Sequence, residues 1–307
     1  MSHEATVAST RPESLWTMAR KRFLNNKLAM AGLLVMLIFI ALALLAPWIS
    51  PYDPARVDLL AAYQGPSRAH LLGTDNVGRD VFSRLLAGSR ISLLVGFSVA
   101  AGTVIVGSLV GAIAGYVGGW VDTVLMRFID VMFSFPSLFL NILVLAIFGS
   151  HFVYLILIMV FTSWMNVARL VRGQFLQLRE MQYVEAARAI GVSRWEIMFN
   201  HLLRNATGPI IVSATLSVGG AIISESALSF LGLGIMPPQT SWGQMLSNAQ
   251  EYILLSPSLA LYPGICIFLT VLAINFVGDG IRDALDPRQK IRISKGRMAQ
   301  WRARFSA

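Results

Sequence analysis

Residues 183–204, YVEAARAIGVSRWEIMFNHLLR, form a polar island between long apolar runs, and their order predicts a helical hairpin. Glu180 to Ile190 is rich in strong helix formers, and Gly191 falls where a helix would end in a left-handed residue. Ser193 and Glu196 then have the Ser-x-x-Glu spacing of a capping box, with Val192 and Ile197 at the staple positions around it. The pattern reads as two short helices joined by a tight turn, too short to be stable without a surface to lie on. Within the first helix, Ala186 and Ala187 leave the backbone open to close approach. Glu185 beside them offers an acceptor for a cation or a backbone N–H.

The surrounding chain defines the solvent. With 55% hydrophobic and 13% charged residues and a mean hydropathy of +0.64, the sequence is too apolar for an ordinary soluble protein. The net charge of +9 does not indicate nucleic acid, because the basic residues are segregated. Of 25 Lys and Arg, five fall in residues 1–27, six in 168–206 and eight in 279–307. A membrane protein concentrates Lys and Arg on its cytoplasmic side. Cys266 is the single cysteine, so no internal disulfide can form.

Six apolar runs predict six transmembrane helices, at about 28–46, 91–116, 124–148, 152–167, 207–231 and 258–277. Ala41-Leu42-Ala43 resembles a leader cleavage site, but the apolar run continues past it, and a retained first span fits better. Pro47, Pro51 and Pro54 end that span. Val77, Val81, Phe82, Leu85 and Leu86 then share one helical face behind an Asp75 cap, predicting a short interfacial helix before the second span. In that span Gly107, Gly111 and Gly115 recur at four-residue spacing, a ridge that lets another helix pack backbone to backbone. Asp130, Pro136 and Asn141 lie in or near the third span, where Pro136 predicts a kink. Glu225 lies in the fifth. Such intramembrane polar residues face a bundle interior or a wet path, so Asp130, Asn141 and Glu225 are candidates for either role. Residues 232–238 and Trp242-Gly243 carry turn and interface signals. An even number of spans separates the N-terminal segment 1–27, the hairpin loop 168–206 and the tail 279–307, placing all three in the cytoplasm.

Enzymatic alternatives fail on residue types. His3, His70, His151 and His201 all fall in loops or at span edges, so an intramembrane Ser–His dyad cannot form. Neither a GxxxxGK[ST] phosphate loop nor an HExxH metal site occurs. No metal site and no cofactor bound by this chain is expected.

Three stretches resemble one known family. Glu185-Ala186-Ala187 followed by Gly191 resembles the EAA loop, or coupling helix, of permease subunits in ATP-binding-cassette importers. The segment GTDNVGRDVFSRLL at 73–86 is similar to one that precedes the second span in dipeptide, oligopeptide and nickel importer permeases. Residues 278–288, GDGIRDALDPR, resemble the terminal signature of the same group. One departure is Leu203-Arg204, where many members carry Leu-Pro; the next proline is Pro209. The resemblance implies an all-α polytopic membrane protein of the bacterial inner membrane. It implies a second permease subunit, two ATPase subunits carrying ATP and Mg, and an extracytoplasmic solute-binding protein as partners, besides the lipid bilayer. Glu185, Ala186, Ala187, Gly191, Ser193 and Glu196 would couple to the ATPase, and the cargo would be a di- or oligopeptide, a nickel chelate or glutathione. The alternative is a channel or carrier not driven by ATP, its loop merely interfacial.

Overall fold

The computed structural model describes residues 15–285, and these are all-helical apart from an isolated bridge between Thr74 and Asp80. The elements are α1 (Leu15–Asn25), α2 (Lys27–Ile49), α3 (Val81–Val117), α4 (Gly119–Phe133), α5 (Ser137–Phe148), α6 (Phe152–Leu178), α7 (Gln182–Ala189), α8 (Arg194–Glu196), α9 (Arg204–Phe230), α10 (Trp242–Gln250) and α11 (Ser258–Leu285). Five helices are long and apolar enough to cross a membrane, and the count is six if the bent pair α4–α5 is taken as one span. The expected N-terminal segment and basic tail lie in part outside the described residues, at 1–14 and 286–307. So does the end of the terminal signature, whose Gly278 to Leu285 portion simply continues α11.

α3 is the axis of the bundle, packed chiefly on α6 and α9, while α11 packs on α2 and α9. The α3–α6 contact is made by the glycine ridge. A Cβ on Gly107 would sit 2.6 Å from the Trp164 carbonyl, one on Gly115 would sit 2.6 Å from Cβ of Phe175, and one on Gly111 would strike the Ala168 carbonyl. Backbones this close gain dispersion contacts that the lipid-facing state lacks. Val95, Val99, Leu155, Met159 and Leu228 fill the centre between α3, α6 and α9.

Several boundaries differ from expectation. There is no separate interfacial helix before the second span: α3 runs unbroken from Val81, and its N-cap is Asp80, not Asp75. Asp80 accepts from the Ser83 N–H at 2.8 Å, leaving Val77 outside the helix. Asp75 instead closes the preceding turn, accepting from the Val77 N–H, the Arg79 N–H and Arg79 Nε. The helix tolerates polar residues in its first turns because Arg84 is paired with Asp75 and donates to Gln244.

The third span is not one kinked helix. α4 and α5 meet at 80°, and Pro136 is the N-cap of α5, so the proline begins a new helix after Ser134 and Phe135. α6 continues past residue 167 to Leu178, since Arg169 and Arg172 find carboxylates on α4. The second helix of the hairpin is not a separate short element. α8, a π-helical turn at Ile197–Leu203 and α9 form one helix, Arg194–Phe230, of 37 residues. Trp242 and Gly243, read as turn and interface signals, instead begin α10, which is capped by the Ser241 hydroxyl accepting from the Gln244 N–H.

Candidate functional site

The hairpin residues and Glu225 lie towards opposite ends of α3. Ser92, in the first third of α3, and Gly115, near its C-terminal end, are separated by roughly 35 Å at ~1.5 Å rise per residue.

At the Gly115 end lies the hairpin. Arg179 ends α6 and its Nη1 donates to the Gly115 carbonyl at 3.1 Å, tying the loop's start to α3. After α7 the chain turns through Gly191, whose φ is +82°. The Val192 N–H donates to the Ala187 carbonyl at 3.0 Å and the Gly191 N–H to the Arg188 carbonyl at 3.1 Å. This pair of bonds is a Schellman motif, and only glycine adopts its left-handed residue without penalty. Ser193 Oγ then accepts from the Glu196 N–H at 3.2 Å, starting the long helix.

The hairpin lies on a hydrophobic seat. Val184, Ala187, Ile197, Met198 and Leu202 are buried against Val167, Val171 and Phe175 of α6 and Ala112 of α3, with Val192 packed at the edge. Of the EAA residues, Ala187 faces this seat while Glu185 and Ala186 face outward, as do Gly191, Ser193 and Glu196. Met181, Ile190, Trp195 and Phe199 are exposed, Ile190 at 82% and Trp195 at 65%. The Trp195 and Phe199 rings stack at 6.0 Å. One side of the hairpin is thus fixed to the membrane helices, and the other offers aromatic and aliphatic surface around a carboxylate.

The missing Leu-Pro step has a structural counterpart. Ile197–Leu203 forms a π-helical turn before α9, and Pro209 sits inside that helix. A π turn widens the helix locally without needing a proline. Sequence periodicity does not reveal it.

At the Ser92 end, Glu225 is fully buried on α9. Ser229 Oγ donates to its Oε1 at 2.6 Å, and Ser92 Oγ approaches its Oε2 at 3.4 Å. Ser92 Oγ also accepts from the Trp242 N–H at 3.1 Å, and Trp242 Nε1 donates to the Leu85 carbonyl at 3.2 Å. α10 is thereby pinned between α3 and α9, and Gly243 permits the contact: a Cβ there would lie 2.5 Å from Cα of Ser226. Arg84 Nη2 donates to Gln244 at 2.9 Å and completes the attachment. Arg84, Ser92, Trp242 and Gln244 were not predicted from the sequence.

Asn141 is buried on α5, accepting from Thr162 Oγ1 at 3.0 Å. Asp130 is on the open side of α4, paired with Arg169 at 2.5 Å, both about half exposed. Asp130, Asn141 and Glu225 each have a partner of their own: Arg169, Thr162 and Ser229. Among the described residues no group of three His, Cys, Asp or Glu side chains could hold a metal ion.

Comparison with known proteins gives two family matches. Residues 107–291 match the family described as the binding-protein-dependent transport system inner membrane component, and residues 14–66 match the N-terminal TM domain of oligopeptide transport permease C. The chain is 44% identical over 291 residues to the glutathione transport system permease protein of Pectobacterium atrosepticum, covering 93% of this chain and 96% of that one. It is 42% identical over 277 residues to the dipeptide transport system permease protein of Alkalihalophilus pseudofirmus, with 90% and 91% covered. Identity to the oligopeptide transport system permease protein of Bacillus subtilis is 40% over 285 residues, 93% of each chain.

Proposed function

Since this chain belongs to the family of inner membrane components of binding-protein-dependent transport systems, we propose that it is one permease subunit of an ATP-driven importer. It forms half of a translocation path together with a second permease. Two ATPase subunits carrying ATP and Mg act on it from the cytoplasm, and an extracytoplasmic solute-binding protein delivers cargo to the opposite end. The relatives carry glutathione, dipeptide and oligopeptide in their names, and the cargo belongs to that class of short peptides and peptide-like thiols.

The observation that carries the reading is the hairpin at 182–204, buried on one side against α3 and α6 and open on the other. In the proposed orientation this end, with α1 and the end of α11, faces the cytoplasm, as the Lys and Arg distribution favours. Glu185, Ala186, Gly191, Ser193 and Glu196 then lie on the surface offered to the ATPase, while Ala187 seats the helix that carries them. Alternating access requires that the ATPase hold the hairpin differently in its two states, because a ligand shifts an equilibrium only by its differential affinity. Since α8 and α9 are one helix, a displacement of the hairpin passes directly along α9 to Glu225 and the α10 attachment.

Purification from membranes tests this. ATPase chains should accompany the tagged protein, and vesicles holding the complex should take up labelled dipeptide, tetrapeptide or glutathione only with ATP and binding protein. Uptake driven by this chain alone, with no ATPase, would establish a carrier or channel instead.

A further inference from the structure

Two turns at the Ser92 end present leucine to the surroundings. Leu59–Ala61 is a single 3₁₀ turn whose start is held by Asp58 Oδ1, which accepts from the Leu60 N–H at 3.1 Å. Ala61 is buried and its carbonyl accepts from Thr74 Oγ1, while the Tyr63 N–H donates to the Asp75 carbonyl at 3.1 Å. With the backbone so anchored, Leu59 and Leu60 point outward, 71% and 98% exposed. The second turn, before α11, is closed by the Leu255 and Ser256 N–H groups donating to the Tyr252 carbonyl at 3.0 and 2.8 Å. It leaves Ile253, Leu254 and Leu255 at 49%, 98% and 69% exposure.

The turns are clasped together. The rings of Tyr63 and Tyr252 meet edge to face at 5.6 Å. Among the described residues Tyr63 is the only non-glycine with positive φ, +55°. A bulky residue is held there only when its surroundings determine it; here the bond to Asp75 and the ring contact do so. Five exposed aliphatic side chains thus lie on two turns joined by that ring contact, and exposed apolar surface gathered in this way marks an interaction site.

Reach limits what can cover it. Leu255 stands three residues before Ser258, the first residue of the apolar span α11, so it lies within about 10 Å of that span's end. The bilayer's interfacial zone extends roughly 5–7 Å beyond the hydrocarbon on each side. The reach of this turn overlaps that zone, and the turn continues in the chain into the exposed side of α11, Leu261, Ile265 and Phe268. Tyrosines with leucines at that level have the composition of a membrane-interface anchor.

We propose that Leu59, Leu60 and Ile253–Leu255, clasped by Tyr63 and Tyr252, insert into the lipid headgroup–acyl boundary and fix the 50–80 loop to the bilayer beside α11. The reading of function above enters only in naming the leaflet, the outer one.

Nitroxide accessibility tests it. In a background with Cys266→Ser, spin labels are placed by Leu60→Cys, Leu254→Cys and, as a reference in the neighbouring loop, Gln239→Cys. The full chain, with the subunits that purify with it, is returned to phosphatidylethanolamine–phosphatidylglycerol vesicles. Labels at 60 and 254 should collide with oxygen several-fold more, relative to a water-soluble nickel chelate, than the label at 239. Ready access of the chelate to 60 and 254 would overturn the proposal and mark a water-facing surface. Protection from oxygen and chelate alike would overturn it too, showing that another protein chain covers the patch. Because both positions are exposed, the substitutions leave folding intact, and a wild-type uptake or ATPase level confirms this for each sample.

Discussion

Arg172 holds Asp122 with two parallel bonds, Nε to Oδ1 at 2.5 Å and Nη2 to Oδ2 at 2.6 Å, joining α6 to α4 just below the hairpin. The fork-on-carboxylate geometry is the strong form of the ion pair. It adds to the Asp130–Arg169 pair in fixing α4 to α6, and Ile129 is the single buried residue of α4. Arg172→Ala should lower the unfolding midpoint in detergent by an amount equivalent to about 1–2 kcal/mol. Arg172→Lys should recover only part of this, since an ammonium cannot form both bonds. Equal stability of all three proteins would remove the pair from the account of how α4 is positioned.

The glycines supply a sharper contrast. Gly111 touches the Ala168 backbone, whereas a Cβ on Gly173 would meet nothing within 4 Å. Gly111→Ala should force α3 and α6 apart and cost about 1–3 kcal/mol. Gly173→Ala should be neutral or stabilise by about 0.5–1 kcal/mol through the lower entropy of the unfolded chain. Melting of the two mutants, measured side by side, decides the matter. A Gly111→Ala protein as stable as Gly173→Ala would mean that the helices do not approach as closely as described.

What was legible in the sequence was what is local. The turn at Gly191 and the cap at Ser193 follow from signals within a few residues of each other. The spans follow from unbroken apolar runs. The α10 attachment was not legible, because its bonds join residues far apart: Ser92 and Glu225 are separated by 133 positions, Arg84 and Gln244 by 160. Glu225 stood out as a carboxylate in an apolar run, but its surroundings of hydroxyls are a product of tertiary packing. Pro136 announced a disturbance, yet the 80° between α4 and α5 depends on what α5 packs against. The unbroken α3 was missed for a related reason. The span was expected from residue 91, and the polar turns before it stay helical because Asp75 and Gln244 satisfy Arg84.

Glu225 should behave as a group that positions α10. Removing its carboxylate in Glu225→Ala strands Ser229 and Ser92, and each unsatisfied buried group costs about 1–3 kcal/mol. Glu225→Gln keeps an acceptor for Ser229 and should lose much less. The separation between the two mutants in thermal unfolding is the measurement, with uptake assayed on the same samples. If Gln and Ala melt alike, the bonds to Ser92 and Ser229 are not what the carboxylate contributes. If Gln melts like wild type but abolishes uptake, Glu225 acts on the path itself.

The hairpin offers the most specific test of the proposed function, because Gly191 and Glu185 can be altered without touching the seat. A Cβ on Gly191 meets nothing within 4 Å, so the only cost of substitution is the left-handed backbone at φ +82°, about 1–2 kcal/mol for an ordinary residue. Asn tolerates that conformation better than Ala, and β-branched Val worst of all. ATPase recovered with the tagged permease should therefore fall in the order Gly, Asn, Ala, Val, while membrane insertion stays constant. Glu185 is exposed, so Glu185→Lys should leave folding and insertion unchanged and lower ATPase recovery or substrate-stimulated hydrolysis by reversing the charge on the offered surface. Ser193→Ala removes one cap bond worth about 1 kcal/mol and should have the mildest effect. Pull-down of the ATPase chains and hydrolysis in reconstituted vesicles are read together. Full coupling in both Gly191→Val and Glu185→Lys would show that the hairpin is a membrane-surface element and that any ATPase docks elsewhere.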